Sequence, residues 1–92
     1  MTKETFLQLS AADTLIIDVR EKHEVSLSTR IKDAINIPMM ELAERIESGA
    51  LGRERMIVTV CQSGGRSIAL HTLLSSNGYN ADYLEGGICS LG

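Results

Sequence analysis

The 92-residue sequence lacks the features of several common protein classes. It has no apolar run near the length of a membrane span, and residues 1–4 lack the apolar core of a signal peptide. We therefore expect a cytoplasmic protein that has no membrane partner. It has no basic tail, and its net charge of -3 does not favour nucleic acid as a partner.

Metal-binding residue types are also scarce. The chain has two histidines and two cysteines, which lie far apart along the sequence as His23, Cys61, His71 and Cys89. Because no two of them have the close spacing of metal ligands, we predict no metal site and no cofactor. The two cysteines could pair, but a chain without an export signal usually keeps its thiols reduced.

The length and the 43% hydrophobic content predict one globular domain, residues 1–92. Its apolar pattern alternates between strand-like and helix-like segments. Strands are predicted at 15–17, 34–38, 56–60 and 81–84, and helices at 2–10, 39–50 and 66–77. This alternation predicts an α/β fold with a small, mostly parallel sheet and helices on both faces.

Some details of the pattern concern the core and an irregular region. We expect Met39 and Met40 to fill the core, and Ala69 and Leu70 to face it from the third helix. Residues 25–33 indicate a short helical turn followed by an irregular connection. These are expectations about packing and carry no function by themselves.

Charged or glycine-bearing segments follow three predicted strands, at residues 18–21, 61–66 and 85–87. Because ligands gather at the carboxyl ends of parallel strands, we expect these segments along one edge of the sheet. Asp18 and Arg20 could contact a substrate, but an ion pair that fixes the end of the strand is the favoured interpretation. His23 lies in a charged segment and is expected to be solvated.

The most informative stretch is the loop that follows the third strand, Cys61-Gln62-Ser63-Gly64-Gly65-Arg66-Ser67. Its two glycines allow consecutive backbone N–H groups to turn toward one centre. These groups, the start of the next helix and the Arg66 guanidinium would all favour a Cys61 thiolate. Lowering its pKa by about two units corresponds to about 2.7 kcal/mol. The alternative is that Cys61 is only a small buried apolar residue.

Four segments in this order and spacing resemble a single rhodanese domain, over essentially the full length of the chain. They are residues 15–21 with His23 and Glu24, residues 34–38, residues 61–67, and residues 84–88. The resemblance implies a rhodanese-like three-layer fold. It also implies that Cys61 accepts a sulfane sulfur as a persulfide, that Gln62, Ser63, Gly64, Gly65, Arg66 and Ser67 surround the substrate, and that Asp18 and Arg20 support the site from below.

The function implied is a sulfurtransferase that takes sulfur from thiosulfate or a persulfide and passes it to a thiol or protein acceptor. The alternative is a non-enzymatic sulfur carrier or protein-binding module of the same family. Related phosphatases and arsenate reductases have five residues between cysteine and arginine. This chain has four, which favours a persulfide over a phosphate.

The sequence departs from the family pattern at two places. Residues 30–33 replace a His-Ile-Pro-Gly-like stretch, and residues 89–91 stand where an aromatic residue is common. Cys89 could act as a resolving thiol, although a small terminal residue is the simpler interpretation. A dyad of Cys61 with His71 is not favoured, because ten residues along a helix span about 15 Å.

Overall fold

The computed structural model describes residues 1–27 and 30–91. In chain order its elements are α1 (Lys3–Phe6), β1 (Thr14–Asp18), α2 (Lys22–Ser26), β2 (Ala34–Asn36), α3 (Met39–Ser48), β3 (Met56–Val60), α4 (Gly65–Ser76), β4 (Ala81–Tyr83) and a 3-10 helix (Gly87–Leu91). The strands pair in parallel in the order β2-β1-β3-β4, which confirms the predicted α/β fold. No helix in these two ranges is long and apolar enough to cross a bilayer.

The register of the sheet brings the carboxyl ends of neighbouring strands level. Asp18, the last residue of β1, pairs with Asn36 of β2 on one side and with Val60 of β3 on the other. The N–H of Val19 then donates to the carbonyl of Val60 at 2.9 Å. The segments that follow β1 and β3 therefore begin side by side, and Cys61 is the first residue after β3.

The sheet separates two apolar clusters. On one face, α3 and α4 bury the side chains of Leu42, Ile46, Leu70 and Leu74. The other face is covered by two shorter elements, α1 and the 3-10 helix. They contribute Phe6 and Leu91 to a second apolar cluster. Both faces of the sheet are thus covered, as predicted, and β1 and β3 read as continuous apolar runs for that reason.

Element boundaries differ from the predictions where local hydrogen bonding changes. The first helix ends at Phe6 rather than residue 10, because the N–H groups of Gln8 and Leu9 donate to carbonyls three residues back, as in a tighter turn. The second strand ends before Pro38, which has no N–H to pair. The short helical turn predicted to begin at residue 25 is the helix α2, which begins earlier, at Lys22. Residues 28 and 29 of the predicted connection lie outside the described residues.

Two expectations about the core are wrong. Met40 is 71% exposed, and Ala69 is also exposed. On α4 the buried positions are Ser67, Leu70 and Leu74, which recur every three or four residues, and Ala69 lies beside that stripe. Met40 likewise lies outside the buried face of α3, which carries Leu42 and Ile46.

A buried ion pair fixes the end of β1. Arg20 is 0% exposed, and its Nη2 lies 2.8 Å from Oδ2 of Asp18. The main-chain N–H of Arg20 also donates to Asp18 Oδ1, at 3.1 Å. From β2, Asn36 Nδ2 donates to the carbonyls of Asp18 and Arg20 at 2.9 and 2.8 Å. The predicted ion pair is confirmed, and Asn36 joins it to the neighbouring strand.

We predict that Arg20→Met lowers the free energy of unfolding by about 3–5 kcal/mol, because it leaves the buried carboxylate of Asp18 without its cation. Urea denaturation measures the loss. The control is Arg45→Met, which removes the exposed α3 pair of Arg45 with Glu41 and should cost less than about 1 kcal/mol. Equal losses in the two variants would contradict the role given to the buried pair.

Candidate active site

The loop at residues 61–67, hereafter the cysteine loop, connects β3 to α4. Cys61 follows Val60 directly, and Gly64 occupies the N-cap position of α4 with a φ of 110°. That backbone conformation is rarely adopted by residues with a Cβ, so the turn into the helix depends on glycine. Cys61 is a free thiol, and its side chain is 1% exposed.

The sulfur of Cys61 accepts hydrogen bonds from the main chain of its own loop. The N–H of Gly64 donates to Sγ at 3.0 Å, and the N–H of Ser67 donates at 3.4 Å. The Ser67 hydroxyl lies 3.5 Å from Sγ, where it accepts from the thiol, and it donates to the carbonyl of Gly64 at 3.0 Å. When the thiol loses its proton, rotation of this hydroxyl provides a further donor to the sulfur.

These contacts set the pKa of the thiol. Burial is the largest single influence and raises the pKa of Cys61, but the Ser67 hydroxyl and the N–H groups of Ser67, Gly64 and Arg66 together outweigh it. The net result is a pKa below the ordinary value of a cysteine. Since the thiolate is the nucleophilic form, the loop favours the reactive state of Cys61.

Arg66 makes its closest charged contact with α2 rather than with the sulfur. Its Nη1 and Nη2 lie 2.7 and 2.8 Å from the two carboxylate oxygens of Glu24. The N–H of Glu21 also donates to Glu24 Oε2, at 2.8 Å. The Arg66 contact, followed by this backbone bond, lowers the pKa of Glu24 from 4.5 to about 2. The expected effect of the Arg66 guanidinium on the thiolate is therefore secondary to that of the loop N–H groups.

Gln62 connects the cysteine loop to two distant parts of the chain. Its Oε1 accepts from Nη1 of Arg20 at 3.4 Å, and its Nε2 donates to Sγ of Cys89 at 3.5 Å. The family resemblance implies that Arg20 lies beneath the site, but these two side-chain contacts of Gln62 were not predicted from the sequence. Residues 18–21, 61–66 and 85–87 each follow a predicted strand. That pattern predicts that these segments share one edge of the sheet, but it does not predict which side chains are in contact.

The turn after β4 packs directly on the cysteine loop. The N–H of Ile88 donates to the carbonyl of Cys61 at 2.9 Å, and that of Cys89 donates to the carbonyl of Gln62 at 3.1 Å. Gly87 has a φ of 62°, and a Cβ added there would lie 2.5 Å from the Cys61 carbonyl oxygen. Glycine at this position is required for the close approach, so the edge predicted for residues 85–87 is confirmed.

The remaining candidate residues have different surroundings. Ser63 and Gly65 are exposed on the cysteine loop, and His23 is exposed as predicted. His71 packs against the ring of Tyr83, with 5.2 Å between ring centroids. Among residues 1–27 and 30–91, no group of three histidine, cysteine or acidic side chains is placed to hold a metal ion.

Comparisons with known proteins bear on the whole chain. The family model described as "Rhodanese-like domain" matches residues 2–90. YtwF of Bacillus subtilis (strain 168), whose name marks it as a candidate sulfurtransferase, is 34% identical over 73 residues, which are 79% of this chain and 68% of YtwF. A rhodanese-related protein from Thermoplasma volcanium is similar in structure, with a TM-score of 0.83 and 32% identity, over 98% of this chain and 86% of that one.

A third relative is a much longer protein. The tRNA uridine(34) hydroxylase of Onion yellows phytoplasma (strain OY-M) is 34% identical over 98 residues. The match covers 100% of this chain but 32% of the hydroxylase. The chain therefore spans about a third of that relative, and the similarity concerns one domain of it.

We predict that Ser67→Ala raises the pKa of Cys61, because it removes a hydroxyl that can donate to the thiolate, and a hydrogen bond to a charged group contributes about 1.5–3 kcal/mol. The pKa is measured from the ultraviolet absorbance of the thiolate against pH, in a Cys89→Ser background so that one thiol reports. Ser63→Ala, which alters an exposed serine of the same loop, is the control and should not move the value. An unchanged pKa in Ser67→Ala would contradict the role of the hydroxyl.

We predict a pH-dependent stability from the Glu24 to Arg66 pair. Because the pKa of Glu24 falls from 4.5 to about 2 on folding, its contribution is fully present above about pH 4.5 and is lost as the pH falls through 2. The difference in unfolding free energy between the wild type and Glu24→Gln should therefore be constant near neutrality and shrink toward pH 2. Urea titrations at a series of pH values measure it, with the exposed α3 variant Glu44→Gln as control.

Proposed function

The chain belongs to the rhodanese-like domain family, and on that premise we propose that it is a sulfurtransferase that carries sulfane sulfur as a persulfide on Cys61. The observation that carries the proposal is the set of N–H donors around the Cys61 sulfur, at 3.0 and 3.4 Å, with the lowered pKa that they cause. The name of the Bacillus relative supports the same class of chemistry. The free thiols suit a reducing compartment such as the cytoplasm.

In the first half-reaction, the Cys61 thiolate attacks the outer sulfur of thiosulfate. The sulfur–sulfur bond of the donor breaks, and sulfite leaves with the bonding electrons. The product is the Cys61 persulfide, whose terminal sulfur carries the negative charge that the thiolate brought. The N–H groups of the cysteine loop stabilise the negative charge on Sγ of the attacking thiolate, and they remain bonded to this inner sulfur of the persulfide after the transfer.

In the second half-reaction, a thiophilic acceptor attacks the terminal sulfur of the persulfide and carries it away. Cys61 leaves as a thiolate, which the loop N–H groups stabilise again, and a thiolate of low pKa is a good leaving group. Two half-reactions that share one covalent intermediate give ping-pong kinetics. No group beyond the protein's own thiol is needed for either step.

The donor class follows from the size and charge of the site. Four residues separate Cys61 from Arg66, and a loop of this length suits one added sulfur atom better than a tetrahedral oxyanion. Arg66 offers positive charge beside the loop for an anionic donor, shared with Glu24. Thiosulfate and small persulfides are therefore the donors we propose.

A non-enzymatic sulfur carrier or protein-binding module is the second candidate. The observation that favours it is the exposure of Gln62, Ser63 and Gly65, which leaves one side of the cysteine loop open to a protein partner. The long hydroxylase relative also contains a matching segment within a larger protein. In this alternative the persulfide still forms on Cys61, but turnover with small acceptors is absent.

We predict that the protein forms thiocyanate from thiosulfate and cyanide, and that Cys61→Ser abolishes this activity while remaining folded by circular dichroism. Intact-mass measurement after thiosulfate treatment should show a gain of one sulfur atom in the wild type and none in Cys61→Ser. Sulfur loading without thiocyanate turnover would favour the carrier. A gain that persists in Cys61→Ser would contradict the assignment of the nucleophile.

A further inference from the structure

Arg66 is the cation of the cysteine loop, and the fold pairs it with a carboxylate from a different element. Its Nη1 and Nη2 lie 2.7 and 2.8 Å from the two carboxylate oxygens of Glu24, which α2 supplies. The hydrogen bonds to Glu24 are the main reason that the pKa of Arg66 lies above its ordinary value, and they lower the pKa of Glu24 to about 2. Both groups are therefore charged at neutral pH, and together they carry no net charge.

The pair of Arg66 and Glu24 lies beside the reacting thiol and is accessible from solution. The charge of Cys61 contributes to the raised pKa of Arg66, which places the guanidinium within electrostatic range of the sulfur. The Arg66 and Glu24 side chains are 34% and 28% exposed, whereas Cys61 is 1% exposed. An anion that reaches the sulfur from solution therefore comes within the electrostatic range of both charges.

The second arginine near the loop does not alter this balance. Arg20 is 0% exposed, and its guanidinium is matched by the Asp18 carboxylate at 2.8 Å. Glu21, at the start of α2, also lies within electrostatic range of Arg66. It adds negative charge, so the carboxylates of α2 oppose the attraction that Arg66 exerts on an incoming anion.

The candidate sulfur donors differ in their own charge. Thiosulfate is a dianion, whereas a thiosulfonate is a monoanion. Methanethiosulfonate has a methyl group in place of one oxygen of thiosulfate, and it donates its outer sulfur in the same way. The sulfur–sulfur bond breaks, and methanesulfinate leaves with the bonding electrons as sulfite does. The two donors therefore differ in charge but little in size or chemistry.

We propose, on the basis of the sulfurtransferase function, that Glu24 is a specificity-determining residue that reduces the preference of the site for dianionic over monoanionic donors. Its carboxylate repels a donor in proportion to the charge of that donor. A guanidinium bound between two anions separates them by about 7–8 Å, where a unit charge in water changes an affinity about two- to threefold for each unit of donor charge. The effect on thiosulfate is therefore the square of the effect on the monoanion.

The experiment measures the second-order rate constant for sulfur transfer to Cys61 from each donor. It follows the intact mass during the first turnover, without an acceptor and in a Cys89→Ser background so that one thiol reports. The proteins are this background, Glu24→Gln, Arg66→Gln and the variant with both substitutions. The preference is the rate constant for thiosulfate divided by that for methanethiosulfonate. In this ratio, changes in the reactivity of Cys61 or in the folded fraction cancel.

The preference for thiosulfate should follow the net charge of the pair. We expect it to rise about two- to threefold in Glu24→Gln, which leaves a net positive charge, and to fall in Arg66→Gln, which leaves a net negative one. In the double variant, which is again neutral, it should return toward the value of the unsubstituted pair. Raising the ionic strength should diminish the rise in Glu24→Gln, because salt screens exposed charges.

Two further variants are the controls. Glu24→Asp keeps the negative charge on α2 and should keep the preference near that of the unsubstituted pair. Glu54→Gln removes an exposed carboxylate that precedes β3, at the opposite end of this strand from Cys61, and should leave the preference unchanged.

The outcomes separate this inference from the function on which it rests. An unchanged preference in Glu24→Gln overturns the inference and leaves the sulfurtransferase intact. A shift of the same direction in both single variants, as the loss of a purely structural ion pair would give, also overturns it, and so does a rise that salt does not diminish. Absence of sulfur on Cys61 with both donors overturns the proposed function and the inference together.

Discussion

The hydrogen bonds that Gly64 and Ser67 donate to the Cys61 sulfur are the interaction on which the site depends. Burial alone would raise the pKa of this thiol and make it inert, so each feature of the loop compensates for burial. Gly64 supplies the backbone conformation that turns the loop into α4, and Ser67 donates its main-chain N–H to the sulfur and places its hydroxyl 3.5 Å from it. The sheet serves this arrangement by ending β3 at Val60, immediately before the cysteine.

The two arginines near the loop are each paired with a carboxylate. Arg20 is matched by Asp18 inside the protein, and Arg66 is matched by Glu24 at its surface. Neither guanidinium is therefore the main cause of the lowered pKa of the thiol. Because fixed N–H dipoles at contact distance are screened by salt much less than exposed charges are, we expect the reactive state of Cys61 to depend little on ionic strength.

Much of the fold could be predicted because it depends on local patterns. The continuous apolar run of β3, the glycines after it and the stripe of α4 identify a strand, a loop and a helix without reference to the rest of the chain. The order of such units then places Asp18 and Cys61 at one edge of a parallel sheet. The contact of Arg66 with Glu24 was not predictable, because it depends on where α2 lies, and the residues around α2 carry no clear periodicity. The bonds of Gln62 likewise depend on side-chain conformations at three separate strand ends.

The turn at Gly87 also fixes the orientation of the Cys61 and Gln62 peptide groups relative to the Cys61 sulfur. By accepting from Ile88 and Cys89, the carbonyls of Cys61 and Gln62 direct their partial negative charges toward the turn and away from the thiolate. The Ser67 carbonyl is held in a similar way by the hydroxyl of Thr59, at 2.8 Å. A side chain at position 87 would clash with the carbonyl oxygens of Cys61 and Gln62, so the contact between the turn and the cysteine loop would have to shift. Gly87 thus preserves the polarity of the surroundings of the Cys61 sulfur.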